Sequence, residues 1–134
     1  MTWLPDGNVL VALAIDTHEF HGRASRWFAR ERGDFTTCAV TQGALLRLHM
    51  TLAQDRSAEA AWASLAGFAA HARHEFWPEG FGYTEFKPTP ITGAKQVADA
   101  WLAELARRKG GGLATFYAAL ARWLPKIVAV VPVV

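Results

Sequence analysis

Cysteine is nearly absent from this chain of 134 residues. Cys38 is the only one, which excludes an intrachain disulfide framework. It sits among threonine and apolar neighbours, so it reads as a buried thiol in a reducing compartment. The opening stretch MTWLPDGNVL has no basic leader, and Asp6 interrupts its apolar character early. No apolar run approaches the length of a membrane span, and the expected location is the cytoplasm with no membrane partner. Glycine-rich phosphate loops, dinucleotide fingerprints and nucleophile elbows are also missing. The glycines of KGGGLA instead end a helix and release the chain into a strand. The pairs His18/His21 and His71/His74 have the same short spacing, but no cysteine or acidic partner stands at a recognised zinc distance. Hydrogen bonding or packing of the imidazoles is the favoured reading.

What is present is apolar. A hydrophobic content of 51% excludes a disordered chain, and the length suits one domain, residues 1–134, with a real core. The net charge of +2 allows nucleic acid as a partner without demanding it. Arginines cluster in RASRWFARER and AELARRK, each on an expected helix. Those clusters suit either a phosphate-binding surface or a solvated face. Trp27, Trp62, Trp77, Trp101 and Trp123 have mostly apolar neighbours, which favours core or subunit-interface packing over base stacking.

Periodicity and punctuation give the element order. A first strand ends at Leu4–Asp6, and Asn8 is placed to cap the apolar helix NVLVALAI. THEFHGRASRWFARERG reads as a second helix with Gly33 as its stop, and DFTTCAV as a short strand. Thr41 opens the helix TQGALLRLHMTL, and Ser57 caps another over the alanine-rich stretch that follows. HEFW reads as a strand and KPTPIT as a linker, before a helix from Gly93 to Lys109. Gly112 to Thr115 and KIVAVVPVV supply the last strands. Short apolar strands alternating with amphipathic helices indicate a small α/β protein with a largely parallel central sheet.

In such a sheet, sites collect outside the carboxyl ends of the strands. Asp6 follows the first strand, Thr41 and Gln42 follow the second, and Thr115 to Tyr117 follow a later one. On the helix GAKQVADAWLAELARRK, Val97, Ala98, Trp101, Leu102 and Leu105 form the expected apolar face, with Asp99 at its edge. Asp99 can be solvated there, or can reach inward over the end of the sheet. Two carboxylates brought together in a polar cleft can hold a hard divalent cation such as Mg2+, although nothing in the spacing of Asp6 and Asp99 is itself a metal motif.

The ordered segments together resemble a PIN domain, specifically the VapC toxins of bacterial toxin–antitoxin pairs. The likeness is carried by LPDGNVLVALA, HEFHGRASRWF, TTCAVTQGALLRL and ITGAKQVADAWLAELARRKGGGLATF, and by the closing valine-rich strand. It implies a three-layer α/β/α PIN-like fold with a central mainly parallel sheet. It also implies a metal-dependent endoribonuclease using Mg2+, or alternatively Mn2+, held inactive by a cognate VapB-like antitoxin and forming a homodimer. Asp6 matches the family's first metal-binding aspartate, Asn8 its nearby polar position, and Asp99 the acid of the late helix. Thr41, Gln42, Thr115 and Tyr117 fall at the edge of that site.

Two positions depart from the family pattern. The family often has glutamate where this chain has Gln42, and aspartate where it has Tyr117. An amide cannot act as a charged carboxylate ligand, and a phenol with an ordinary pKa near ~10 is a poor Mg2+ ligand at neutral pH. Three functions follow in order of preference. The first is a toxin-type endoribonuclease that hydrolyses RNA phosphodiesters with metal-activated water. The second is an attenuated homologue that binds RNA or an antitoxin, and the third is a structural interaction domain.

Overall fold

A computed structural model describes residues 1–87, 91 and 93–133 of the chain. The elements run β1 (Trp3–Pro5), α1 (Gly7–Ala14), α2 (His21–Arg30), β2 (Phe35–Thr37), α3 (Ala39–Leu52), α4 (Ala58–Ala69) and β3 (His74–Phe76). After a 3₁₀ turn at Ala94–Gln96 come α5 (Val97–Lys109), β4 (Gly112–Thr115), α6 (Ala119–Trp123) and β5 (Val128–Val130). The linker expected over KPTPIT lies outside the described residues except for Lys87 and Ile91.

The strands form one sheet in the order β3-β2-β1-β4-β5, and every described pairing is parallel. β1 is therefore central, and the chain order reverses on either side of it. That reversal opens a crevice between the carboxyl ends of β1 and β4, where two crossover helices leave in opposite directions. The register pairs Pro5 with Ala114, which sets Asp6 beside Thr115. The Asp6 N–H completes the ladder by donating to the Ala114 carbonyl at 2.9 Å.

Side-chain alternation along the central strands divides the core into layers. Leu4, Leu113 and Val128 pack against α5 through Trp101, Leu102 and Leu105. Ala114 faces the other way, toward Val9 and Ala12 of α1 and Ala24 and Trp27 of α2. Leu10, Val11 and Ile15 then pack α1 against Leu45 of α3 and Leu65 of α4. The result is the expected α/β/α sandwich.

Several local expectations are corrected. Asp6, not Asn8, caps α1, its Oδ1 accepting from the Val9 N–H at 2.9 Å. Cys38, not Thr41, is the cap residue of α3, and the Thr41 hydroxyl accepts from the Cys38 N–H at 3.0 Å. The second helix begins only at His21, because His18 Nδ1 accepts the Phe20 N–H and holds a turn ahead of it. The buried face of α5 is Ala100, Trp101, Leu102, Ala103, Leu105 and Ala106, while Val97 and Ala98 are exposed. The short helix α6 was not expected, because five residues give too little periodicity to read. Trp27, Trp77 and Trp101 are core residues, but Trp62 and Trp123 are 60% and 61% exposed.

Candidate metal centre

The crevice between β1 and β4 is a cavity of about 1100 Å3. Asp6, Asn8, Thr41, Asp99, Thr115 and Tyr117 all line it. Six positions spread from the first turn to the fourth strand thus converge on one place, and parallel crossovers cause the convergence. Each crossover returns the chain so that its strand's carboxyl end meets the others on the same rim.

Asp6 is held from three sides. It is 1% exposed, its backbone is fixed by the β4 ladder, and its Oδ1 by the first turn of α1. Its other oxygen, Oδ2, is buried without a hydrogen-bond partner. Burial pushes this carboxyl up to about 6, against the opposing effects of the Val9 N–H, the Thr115 side chain and the Asn8 N–H. Asp99, in the first turn of α5, is pushed up to about 7 by burial and then by the charge of Asp6. No basic side chain contributes to either shift. Two desolvated carboxyls that repel each other, with one oxygen unpartnered, have the electrostatics of an uncompensated anionic pair.

That donor set fits a hard divalent cation. A small cation such as Mg2+ takes oxygen ligands, needs few of them from protein and keeps several waters. Asp6 Oδ2 and the Asp99 carboxylate supply such oxygens, and the Thr115 hydroxyl stands beside them. Among the described residues, no group of three or more His, Cys, Asp or Glu side chains is placed to hold a metal. Among the described residues that line the cavity, Asp6 and Asp99 are the acidic ones.

Gln42 is absent from the cavity lining. Its Nε2 donates to the Thr37 hydroxyl at 3.0 Å, and the same hydroxyl is 2.8 Å from His74 Nε2. Val40, Gly43, Ala44 and Arg47 form the face of α3 that borders the cavity, and Gln42 is off that face. Tyr117 stands at the rim, 54% exposed, with its N–H donating to the Thr115 hydroxyl at 3.2 Å.

Helical periodicity could have identified Arg47, four positions after Gly43, but sequence reading singled out other arginines. The cations that line the cavity are Arg47, Lys95 and Arg122. Most arginines of the two sequence clusters are occupied elsewhere. Arg23 donates to the Val131 carbonyl at 2.9 and 2.6 Å, and Arg26 to the Val133 carbonyl at 3.0 Å. Arg107 and Arg108 both bind Glu104. Neither histidine pair gathers around a common point. His21 Nδ1 lies 2.8 Å from the Ala12 carbonyl, and His71 Nδ1 accepts the Arg73 N–H.

No family model matches the chain. Among curated proteins, Ribonuclease VapC29 of Mycobacterium tuberculosis is 37% identical over 132 residues, covering 98% of each chain. The chain belongs to the VapC ribonuclease family. It is a VapC-type toxin domain of the PIN fold. Ribonuclease VapC39 of the same organism is 34% identical over 128 residues, 90% of this chain and 92% of that one. Two solved structures share the fold of this VapC-family chain. Mycobacterium tuberculosis VapC20, described as a Sarcin-Ricin loop cleaving toxin, superposes with a TM-score of 0.66 at 16% identity, over 90% of this chain and 94% of that one. VapBC2 from Rickettsia felis, bound to a promoter DNA fragment, gives 0.59 at 14% identity, over 96% and 98%.

Proposed function

We infer that this VapC-family chain is a toxin-type endoribonuclease in which Asp6 and Asp99 hold a divalent cation over the carboxyl end of the sheet. Membership of a ribonuclease family supports the activity. The observation that supports the residue assignment is the buried, unpartnered Oδ2 of Asp6, a residue that lines the same cavity as Asp99. When bound, Mg2+ or Mn2+ would lower the pKa of water and offset charge developing on the phosphate.

The chain's own residues prepare for that chemistry. The first turn of α1 fixes one oxygen of Asp6 and leaves the other without a hydrogen-bond partner. Thr115 holds the turn that follows β4 by accepting the Tyr117 N–H, and its side chain lowers the proton affinity of Asp6. Asp99, pushed up to about 7 by burial and the charge of Asp6, would release its proton on taking up the cation. Asn8 and Thr41 complete the polar edge. Residues 1–134 act as a single PIN-like domain that is held inactive by a VapB-like antitoxin and pairs as a homodimer.

Incubating purified protein with RNA and Mg2+ or Mn2+, beside Asp6→Ala and Asp99→Ala, tests the assignment. Cleavage by the wild type alone is expected. Equal cleavage by all three proteins, or by none, would overturn it.

One observation favours a second reading. Tyr117 occupies the strand end where the resemblance places an aspartate, and the described residues lining the cavity supply two carboxylates. An attenuated homologue that binds RNA or antitoxin without efficient cleavage would have that composition. Titration with Mn2+ separates the readings, because 1:1 binding that disappears in Asp6→Ala argues against an inert site.

A further inference from the structure

Arg47, Lys95 and Arg122 come from α3, the 3₁₀ turn before α5, and α6, three segments far apart in sequence that border one cavity. All three are exposed, and none makes a side-chain hydrogen bond or ion pair among the described residues. Most other arginines of the chain are tied to carbonyls or carboxylates. Arg23, Arg26, Arg56 and Arg73 bind backbone oxygens, while Arg107 and Arg108 bind Glu104. None of the three forms an ion pair with Asp6 or Asp99 among the described residues.

Opposite charges that share a cavity without pairing serve different ligands. The two carboxylates suit a metal, and the three free cations suit an external polyanion. The cavity between them is larger than a pocket for a drug-sized molecule. Its walls include the apolar side chains of Val40, Leu48 and Leu120, with the exposed ring of Tyr117 at the rim. Apolar and aromatic walls between cations match unstacked bases flanked by backbone phosphates.

We propose that Arg47, Lys95 and Arg122 each hold a backbone phosphate of single-stranded RNA, so that the strand crosses the cavity over the Asp6–Asp99 pair. They are positioning residues for the strand, and the proposal deepens the ribonuclease reading on which it rests. Each phosphate neutralised on a single strand releases counterions and contributes roughly −0.7 to the slope of log affinity against log salt.

The test is binding of a fluorescent, fully 2′-O-methylated RNA oligonucleotide in EDTA, followed by anisotropy across a salt series. Neither cleavage nor metal enters this readout. Arg47→Gln, Lys95→Gln and Arg122→Gln should each flatten the slope by roughly 0.7, and the triple variant by about 2. Arg32→Gln with Lys126→Gln is the control, because both residues precede strands and stand at the opposite end of the sheet. The control should leave the slope unchanged, and circular dichroism should report the same fold in every variant. No RNA binding by the wild type, an unchanged slope in the folded triple variant, or equal flattening in the control would overturn the proposal. Flattened slopes in a protein that never cleaves RNA would sink the nuclease reading and leave the phosphate contacts standing. Cleavage with an unchanged slope would do the reverse.

Discussion

Burial, and then the charge of Asp6, holds the Asp99 carboxyl at about 7. Asp6 itself is raised by burial to about 6, so the two carboxyls titrate as a pair between mildly acidic and neutral pH. The sign of the linkage follows from proton counts. Above pH 3.8 the unfolded chain has begun to release protons that the folded pair still holds. Their contribution to stability is therefore full at low pH and is lost as pH rises through about 6 to 7. Metal-free protein should show a falling denaturation midpoint from about pH 5 to about pH 8, beyond the trend of an Asp6→Asn/Asp99→Asn variant. Parallel trends in the two proteins would refute the shifts.

The same titration couples to metal. A cation that binds the ionised pair must displace protons, so its apparent affinity should rise with pH through neutrality. Calorimetric titration of Mn2+ in buffers of different ionisation enthalpy should show proton release at about pH 6.5 and much less at about pH 8.5. Equal release at both would show that other groups supply the protons.

The two oxygens of Asp6 are separable, Oδ1 capping α1 and Oδ2 buried without a partner. Asp6→Asn keeps the Oδ1 acceptor that caps α1 and removes the charge, whereas Asp6→Ala removes both. Both variants should lose metal-dependent cleavage. Only the alanine variant should also lose the cap, at a cost of about 1 kcal/mol read by chemical denaturation. A stable Asp6→Ala would mean that the cap contributes little.

Tyr117 and Gln42 should respond differently to restored acids. Tyr117→Asp adds a carboxylate to the rim of the cavity and should tighten Mn2+ binding by at least ~10-fold, in the range by which supporting groups tune a site. Gln42→Glu places its charge against Thr37 and His74 and should change the affinity by less than about 2-fold. The comparison is decided by Kd values measured side by side. A larger gain from Gln42→Glu would mean that α3 turns this side chain into the cavity.

Gly7 sits between Asp6 and Asn8 where α1 meets α3. A Cβ at this position would stand 2.5 Å from the Ala44 Cβ, with helix backbone behind each partner. Gly7→Ala should force the two helices apart and cost about 1–3 kcal/mol in unfolding free energy. Because Gly7 and Ala44 both line the cavity, RNA cleavage should fall as well. An unchanged midpoint would show that α1 shifts freely at its first turn.

Much of this architecture is written locally. Alternation of short apolar strands with amphipathic helices determined the α/β class, and strand-end position singled out Asp6 and Thr115. Ser57 caps α4 as its sequence context requires. The resemblance supplied the pairing of Asp6 with Asp99, which spacing alone left open. Tertiary structure decided the rest, because it depends on rotation about helix axes and on partners distant in sequence. A helix-edge carboxylate is solvated or buried according to what packs over it, and the fold leaves Asp99 half-buried at the cavity that Asp6 also lines. One residue along α3 turns a side chain through about 100°, which separates Gly43 at the cavity from Gln42 at Thr37. Arginine clusters are visible in sequence, but their partners are not. Folding tied Arg23 and Arg26 to carbonyls and Arg107 and Arg108 to Glu104, and left Arg47, Lys95 and Arg122 at the cavity without a side-chain partner among the described residues.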